Sequence, residues 1–224
     1  MKKILKQGLI VSCQALEHEP LHSSYVMSKM ATAAVEGGAI AIRANGYDDV
    51  VTIKQTVNVP VIGLIKRDYE DSTIFITPTI KEVNELAKAG CDVIALDATL
   101  RKRPEDEQLD TIVNKTRELY PDIELMADIA TFEEAINADH LGFDYISTTL
   151  SGYTEETKDI EIPNLNLVKQ LDGKVKAKVI AEGGIWTLVH LKQALDFNAY
   201  GAVIGSAITR PQLITKRFNS VFED

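Results

Sequence analysis

Val61-Ile62-Gly63-Leu64-Ile65-Lys66 decides how the rest of the chain is read. Pro60 precedes it, five apolar or small residues follow, and the run stops on a charged lysine. A short apolar run fenced by proline and charge has the form of a buried strand. A lysine at its carboxyl end has the placement of a residue at the mouth of a barrel.

The same unit recurs on both sides. Residues 8–11 run into Gln14, residues 39–42 end on Arg43, and residues 93–96 end on Asp97. Residues 125–127 end on Asp128, 179–181 on Glu182, and 202–204 on Gly205. The intervals, of about 20–35 residues, mostly hold an amphipathic helical stretch, which is the length of a strand–helix unit in a parallel sheet. About eight such units without a composition break predict a single-domain α/β protein, a (β/α)8 TIM barrel over residues 1–224. A doubly wound sheet also alternates strands and helices, but the Gly-x-Gly-x-x-Gly turn after the first strand is absent.

The predicted strands are 8–13, 39–43, 61–66, 92–97, 124–128, 144–148, 178–182 and 201–206. Helices are expected over 23–36, capped by Ser23 or Ser24, and from Tyr47, capped by Asn45 or Asp48. Further helices follow over 79–89, from the charged loop at Glu105 to about Tyr120, from Thr131 to Leu141, over 165–171, from Thr187, and from Pro211. The connections 67–78 and 149–164 are long and polar, a usual place for substrate contacts, and 74–76 could add a small strand.

Composition is that of an ordinary globular protein, with 45% hydrophobic and 25% charged residues among 224. A formal net charge of −9 without a basic stripe argues against a nucleic-acid surface, yet allows a small anion in a locally cationic pocket. No apolar stretch is long enough for a membrane span, and the basic start lacks a signal-peptide core, so a cytoplasmic location is expected. Cys13 and Cys91 have the setting of buried small hydrophobes in a reducing compartment. No His, Cys or carboxylate cluster has metal-ligand spacing; His18 and His22 read as loop residues, His140 and His190 as helix-surface residues.

The loops after strands seven and eight carry Gly183-Gly184 and Gly205-Ser206, with Arg210 close by. In many barrels those loops bind phosphate through backbone N–H groups and a helix N-terminus. Lys66 pointing into the mouth could act as a base or a Schiff-base nucleophile, or could be an exposed loop lysine beside Arg67. Glu182 is a second ionisable group of the same ring, either functional or tied to Lys66 or Arg43 in a salt bridge. Arg43 could stabilise an oxyanion, and Asp128 could accept hydrogen bonds from sugar hydroxyls; either could instead belong to a polar network inside the barrel. Asp97 has the placement of a loop cap.

Residues 8–16 with 19–24 resemble the opening of the N-acetylmannosamine-6-phosphate 2-epimerase family. Ile42-Arg43-Ala44, residues 61–67, 94–99, 126–129, 147–154, 180–183 and 207–211 resemble its other blocks, so the likeness spans residues 8–218. The resemblance implies a TIM barrel, usually a homodimer, needing no metal or cofactor. It implies interconversion of N-acetylmannosamine 6-phosphate and N-acetylglucosamine 6-phosphate in sialic-acid and amino-sugar breakdown. It further implies Lys66 and Glu182 as the catalytic pair, with Gln14, Arg43, Asp128 and Arg210 as substrate contacts. The likeness departs at Gly205-Ser206, where the family pattern has two glycines; serine keeps the backbone N–H and adds a hydroxyl, so phosphate binding is expected to survive. Epimerisation at C2 needs the open-chain aldehyde, with Lys66 taking the C2 proton, Arg43 stabilising the enolate oxygen, and Glu182 either returning a proton on the opposite face or positioning Lys66 and a substrate hydroxyl. A Schiff-base aldolase and a non-catalytic phosphosugar-binding protein are the alternative readings of the same barrel.

Overall fold

In the computed structural model, which describes residues 4–222, eight parallel strands pair in chain order and close on themselves. They are β1 (Gly8–Cys13), β2 (Ala41–Asn45), β3 (Val61–Leu64), β4 (Val93–Asp97), β5 (Glu124–Asp128), β6 (Tyr145–Ser147), β7 (Lys178–Ala181) and β8 (Gly201–Ile204). Between them run α1 (Ser24–Glu36), α2 (Tyr47–Lys54), α3 (Ile80–Ala89), α4 (Leu109–Leu119), α5 (Phe132–His140), α6 (Leu165–Leu171) and α7 (Leu188–Asp196). After β8 come a short α8 (Ser206–Thr209) and α9 (Pro211–Asn219). This is a single-domain (β/α)8 TIM barrel. Residues 1–3, the start of the basic N-terminal stretch, lie outside the described residues.

Alternation along each strand makes two apolar layers. Ile10, Ile62, Leu64, Val93, Met126, Tyr145, Ile180 and Val203 fill the barrel interior. Val11, Ile42, Val61, Ile94, Leu96, Leu125 and Ile146 face the surrounding helices. Helix starts follow side-chain chemistry. Ser23 caps α1, Thr79 and Thr131 form capping boxes with Glu82 and Glu134, and Thr187 caps α7.

The second strand begins two residues later than its sequence suggests. Gly38 adopts φ 98° and Ala39 N–H still donates to Ala34 O, so the helix exit consumes that residue before pairing starts. Neither Asn45 nor Asp48 caps α2, whose N-cap is Gly46 at φ 93°. Asn45 Oδ1 instead accepts the Lys66 N–H at 2.9 Å. The apolar piece 74–76 forms an isolated antiparallel bridge, Ile76 with Lys66, rather than a strand. The eighth strand stops at Ile204, because Ser206 already opens α8.

Both thiols are buried, and burial pushes each up to about 12, so neither is a thiolate at neutral pH. Among the described residues no helix is long and apolar enough to cross a membrane, and no group of three or more His, Cys, Asp or Glu could hold a metal ion.

Candidate active site

Strand ends and following loops at one end of the barrel enclose a cavity of about 260 Å³. Lys66, Glu182, Arg43 and Gln14 line it, as do Gly183, Gly184, Gly205, Ser206 and Arg210. Residues far apart in sequence converge there because every strand points the same way and ends at the same rim.

Arg43 lies at the centre of the polar network and is 1% exposed. Its Nη1 donates to Asp128 Oδ1 at 2.9 Å and its Nη2 to Asp128 Oδ2 at 2.5 Å, a two-point clasp. Nη1 also donates to Glu182 Oε2 at 2.8 Å. Burial acts to lower the guanidinium pKa, yet the carboxylates of Asp128 and Glu182 hold it above its ordinary value. Arg43 Nε–H has no acceptor among the described residues. Leaving a buried donor unmet costs about 1–3 kcal/mol, and such costs concentrate at functional sites.

Glu182 Oε2 also receives the Ser147 hydroxyl and can receive that of Thr149, each at 2.9 Å. The Thr149 hydroxyl carries one proton, for which Asp128 Oδ1 competes at 2.8 Å. The Glu182 backbone is fixed too: its N–H donates to Thr148 Oγ1 at 3.0 Å, and that hydroxyl donates to Glu182 O at 2.8 Å. Burial pushes the Glu182 carboxyl above the usual range, Arg43 pulls it back, and the negative charge of Asp128 raises it again.

Lys66 has its main chain clamped by Asn45 and by the bridge to Ile76. Its amine is lowered to about 8, by burial first and then by the positive charges of Arg210 and Arg43, with Glu182 and Glu19 opposing. The neighbouring Arg67 is not free: it pairs with Glu82 and, at 3.0 Å, with Glu85 on α3. Two cationic side chains in adjacent positions therefore have different surroundings, one fixed to a helix and one turned into the mouth.

Opposite, Gly183 and Gly184 have φ 97° and 77°. A Cβ at Gly184 would come within 2.9 Å of Ile162 Cβ, so this turn requires glycine. Gly205 leads into α8, whose first amides have no acceptor within the helix. Arg210 lines the same end, its Nη2 donating to Glu19 Oε2 at 3.1 Å. Glu19 also receives Leu16 N–H at 2.8 Å and Gln212 Nε2 at 2.9 Å, which ties the first loop to the arginine.

Nine of the ten candidate residues therefore line one cavity, and Asp128 does not. It is 0% exposed, behind Arg43, with its oxygens occupied by the guanidinium and the Thr149 hydroxyl. This is the polar network inside the barrel that the sequence left open for Asp128, with Arg43 as its partner. Asp97 does cap its loop, accepting from Thr99 N at 3.0 Å and from Arg101 Nη2 at 2.6 Å. His22 Nδ1 lies 3.1 Å from Ala15 O, within its own loop. Ser147, Thr149 and Glu19 join the site without any signal in the sequence that sets them apart. Ser147 and Thr149 fall in a block that resembles the family, but a hydroxyl residue at a strand end has no distinguishing signal in a single chain.

A family model described as "Putative N-acetylmannosamine-6-phosphate epimerase" matches residues 27–224. The chain belongs to that family. Epimerase relatives agree along nearly the whole length. A Staphylococcus haemolyticus protein named as such a 2-epimerase is 56% identical over 217 residues, covering 96% of this chain and 97% of its own. One from Staphylococcus aureus is 55% identical over 223 residues, covering 99% and 100%. The solved structure of the N-acetylmannosamine-6-phosphate 2-epimerase from Clostridium perfringens superposes with a TM-score of 0.94 at 53% identity, covering 97% of this chain and 94% of that one. Thiamine phosphate pyrophosphorylase from Pyrococcus furiosus superposes with a TM-score of 0.62 at 18% identity, which is a likeness of fold alone.

Proposed function

We propose that this epimerase-family chain interconverts N-acetylmannosamine 6-phosphate and N-acetylglucosamine 6-phosphate by removing and returning the C2 proton of the open-chain sugar. The observation that carries the reading is a lysine, lowered to about 8 by burial, lining the same cavity as a carboxylate held by an arginine. A neutral amine near physiological pH is a competent base. The C2 proton is acidic only beside the C1 carbonyl, so Lys66 acts on the aldehyde form. Negative charge then develops on the carbonyl oxygen, and Arg43 supplies the opposing charge. C2 inverts only when a proton arrives on the face opposite the one Lys66 empties; Glu182, across the barrel from Lys66, with its carboxyl raised by burial and held by Arg43, Ser147 and Thr149, supplies that proton. The phosphate binds at the amides of Gly183, Gly184, Gly205 and Ser206 with Arg210, and Gln14 completes the sugar contacts. Asp128 acts through Arg43. The reaction would serve sialic-acid and amino-sugar breakdown in the cytoplasm.

The test is conversion of the mannosamine phosphate to the glucosamine phosphate by the purified protein, followed by NMR. Borohydride added during turnover should leave no lysine adduct. A trapped adduct would favour the aldolase reading, and tight binding without turnover the sensor reading.

The rate should depend on pH in a defined direction. Lys66 acts as the neutral amine, so kcat/KM rises with pH through about 8 and then levels off. Arg210 is the leading charge that lowers this amine. Arg210→Gln is therefore expected to move that limb to higher pH and to raise KM through the lost phosphate contact. A raised KM with an unmoved limb would separate Arg210 from Lys66.

A homodimer is part of the same reading. Each of α1 to α7 buries at least one residue, whereas α9 buries none. Phe218, Val221 and Phe222 are 72%, 74% and 85% exposed, an apolar end that a second copy would cover. Light scattering should give twice the chain mass for the native protein. Replacing the three residues by aspartate should give the monomer mass.

A further inference from the structure

The glycine turns and the lysine that ends the β3 run stand on opposite sides of the cavity. The glycine turns and Arg210 come from the loops after β7 and β8, and Ile185 and Trp186 follow Gly184 directly, so they share that side. β3 stands four places from β7 in the ring of eight, across the barrel. On that far side, beyond Lys66, the wall is apolar: Leu64, Phe75 and Ile76. Leu64 and Ile76 are 1% and 3% exposed, and Phe75 packs, half-buried, on the same interior cluster.

Main-chain hydrogen bonds tie this far wall to the strand ends. Ile76 bridges Lys66 in antiparallel fashion, which sets the two side chains on one face. Ile76 O accepts from Asp97 N–H at 3.0 Å, and Phe75 O accepts from Arg67 N–H at 2.9 Å. The next residue, Thr77, is fully buried at φ 45°, an uncommon conformation for threonine. Its N–H donates to Ile65 O at 2.7 Å and its hydroxyl accepts from Ile65 N–H at 3.2 Å. The segment 65–77 is thus stitched to the strand end on both sides of Phe75–Ile76.

We infer that Phe75 and Ile76 form the acyl-recognition wall, seating the methyl of the substrate's N-acetyl group and setting the limit on acyl length. The inference rests on the epimerase reading. With the phosphate held by the glycine turns, the sugar chain runs across the mouth and presents C2 to Lys66. The acylamino group is attached to C2 itself, so it lies beside Lys66, on the side away from the phosphate. The surface there is an aromatic ring and a branched aliphatic side chain, suited to a methyl group. The clamped backbone keeps that surface from retreating before a longer acyl group.

The test compares kcat/KM for N-acetyl-, N-propionyl- and N-butanoylmannosamine 6-phosphates, with inhibition by inorganic phosphate measured alongside. In the native protein each added methylene should lower kcat/KM about tenfold or more. Phe75→Ala and the milder Phe75→Leu should close most of that gap, Ile76→Val part of it, and none should change inhibition by phosphate. Unchanged acyl ratios in these variants, while they still turn over the N-acetyl substrate, would overturn the inference alone. A native protein that fails to epimerise the N-acetyl substrate would overturn the epimerase reading and this inference together.

Discussion

Lys66→Ala is expected to lose turnover toward the upper end of the about 10²–10⁴-fold that a positioned base contributes. The side chain lines the cavity with an amine lowered to about 8, and the other ionisable groups on the wall are differently engaged. Glu182 Oε2 already accepts from Arg43 and from a serine hydroxyl, and Arg43 stays protonated under its two carboxylates. Phosphate binding should persist, because the glycine turns and Arg210 make no hydrogen bond to Lys66. Lys66→Arg is the sharper variant. It keeps the charge, and guanidinium does not give up its proton in proteins. A base must deprotonate, so arginine should not rescue turnover. Substantial activity in Lys66→Arg would mean that the cation matters and the base lies elsewhere. The readout is kcat and KM for the N-acetyl substrate, with inhibition by inorganic phosphate as the binding control.

The second large effect concerns stability. Asp128→Ala removes the two-point partner of a guanidinium that is 1% exposed. Breaking a buried pair from one side costs about 3–5 kcal/mol, because the remaining charge has lost its compensation. For a protein of this length each kcal/mol lowers the melting temperature by about 2–4 °C, so a fall of about 6–20 °C is expected. Glu182 still pairs with Arg43 in the variant and holds the cost toward the lower end. Activity should fall as well, since Arg43 and Glu182 lose the group that fixes them. Asp128→Asn keeps a hydrogen-bond acceptor of the same shape and should be milder in melting temperature. Equal melting temperatures for Asp128→Ala and the native protein would mean that the ion pair is not what anchors Arg43.

The barrel was legible because its strands are buried on both faces. Each then appears as a continuous apolar run, and a break in apolarity marks the rim. Lys66, Glu182 and Arg43 were legible for the same reason, since a charge that ends such a run has little choice but the mouth. Depth was not legible. Arg43 and Asp128 end their runs alike, yet one reaches the cavity wall and the other stands behind it, because the guanidinium spans the interior to reach the carboxylate. Nor did the chain reveal that Asn45 turns back to hold Lys66 N–H instead of capping α2. Asparagine suits both tasks, and only the spacing of β2 and β3 selects between them. The phosphate end was read from Gly183-Gly184 and Gly205, whose value depends on strand order. The connection 67–78 announces itself as a place for substrate contacts, but Phe75 and Ile76 stand out within it only when the segment folds back on Lys66.

Solvent deuterium at C2 tests the central claim most directly. In deuterated water, with N-acetylmannosamine 6-phosphate as substrate, NMR should show deuterium entering C2 in step with product formation. Lys66→Ala should show neither. Product formed at the native rate with its original hydrogen still on C2 would contradict proton abstraction by Lys66.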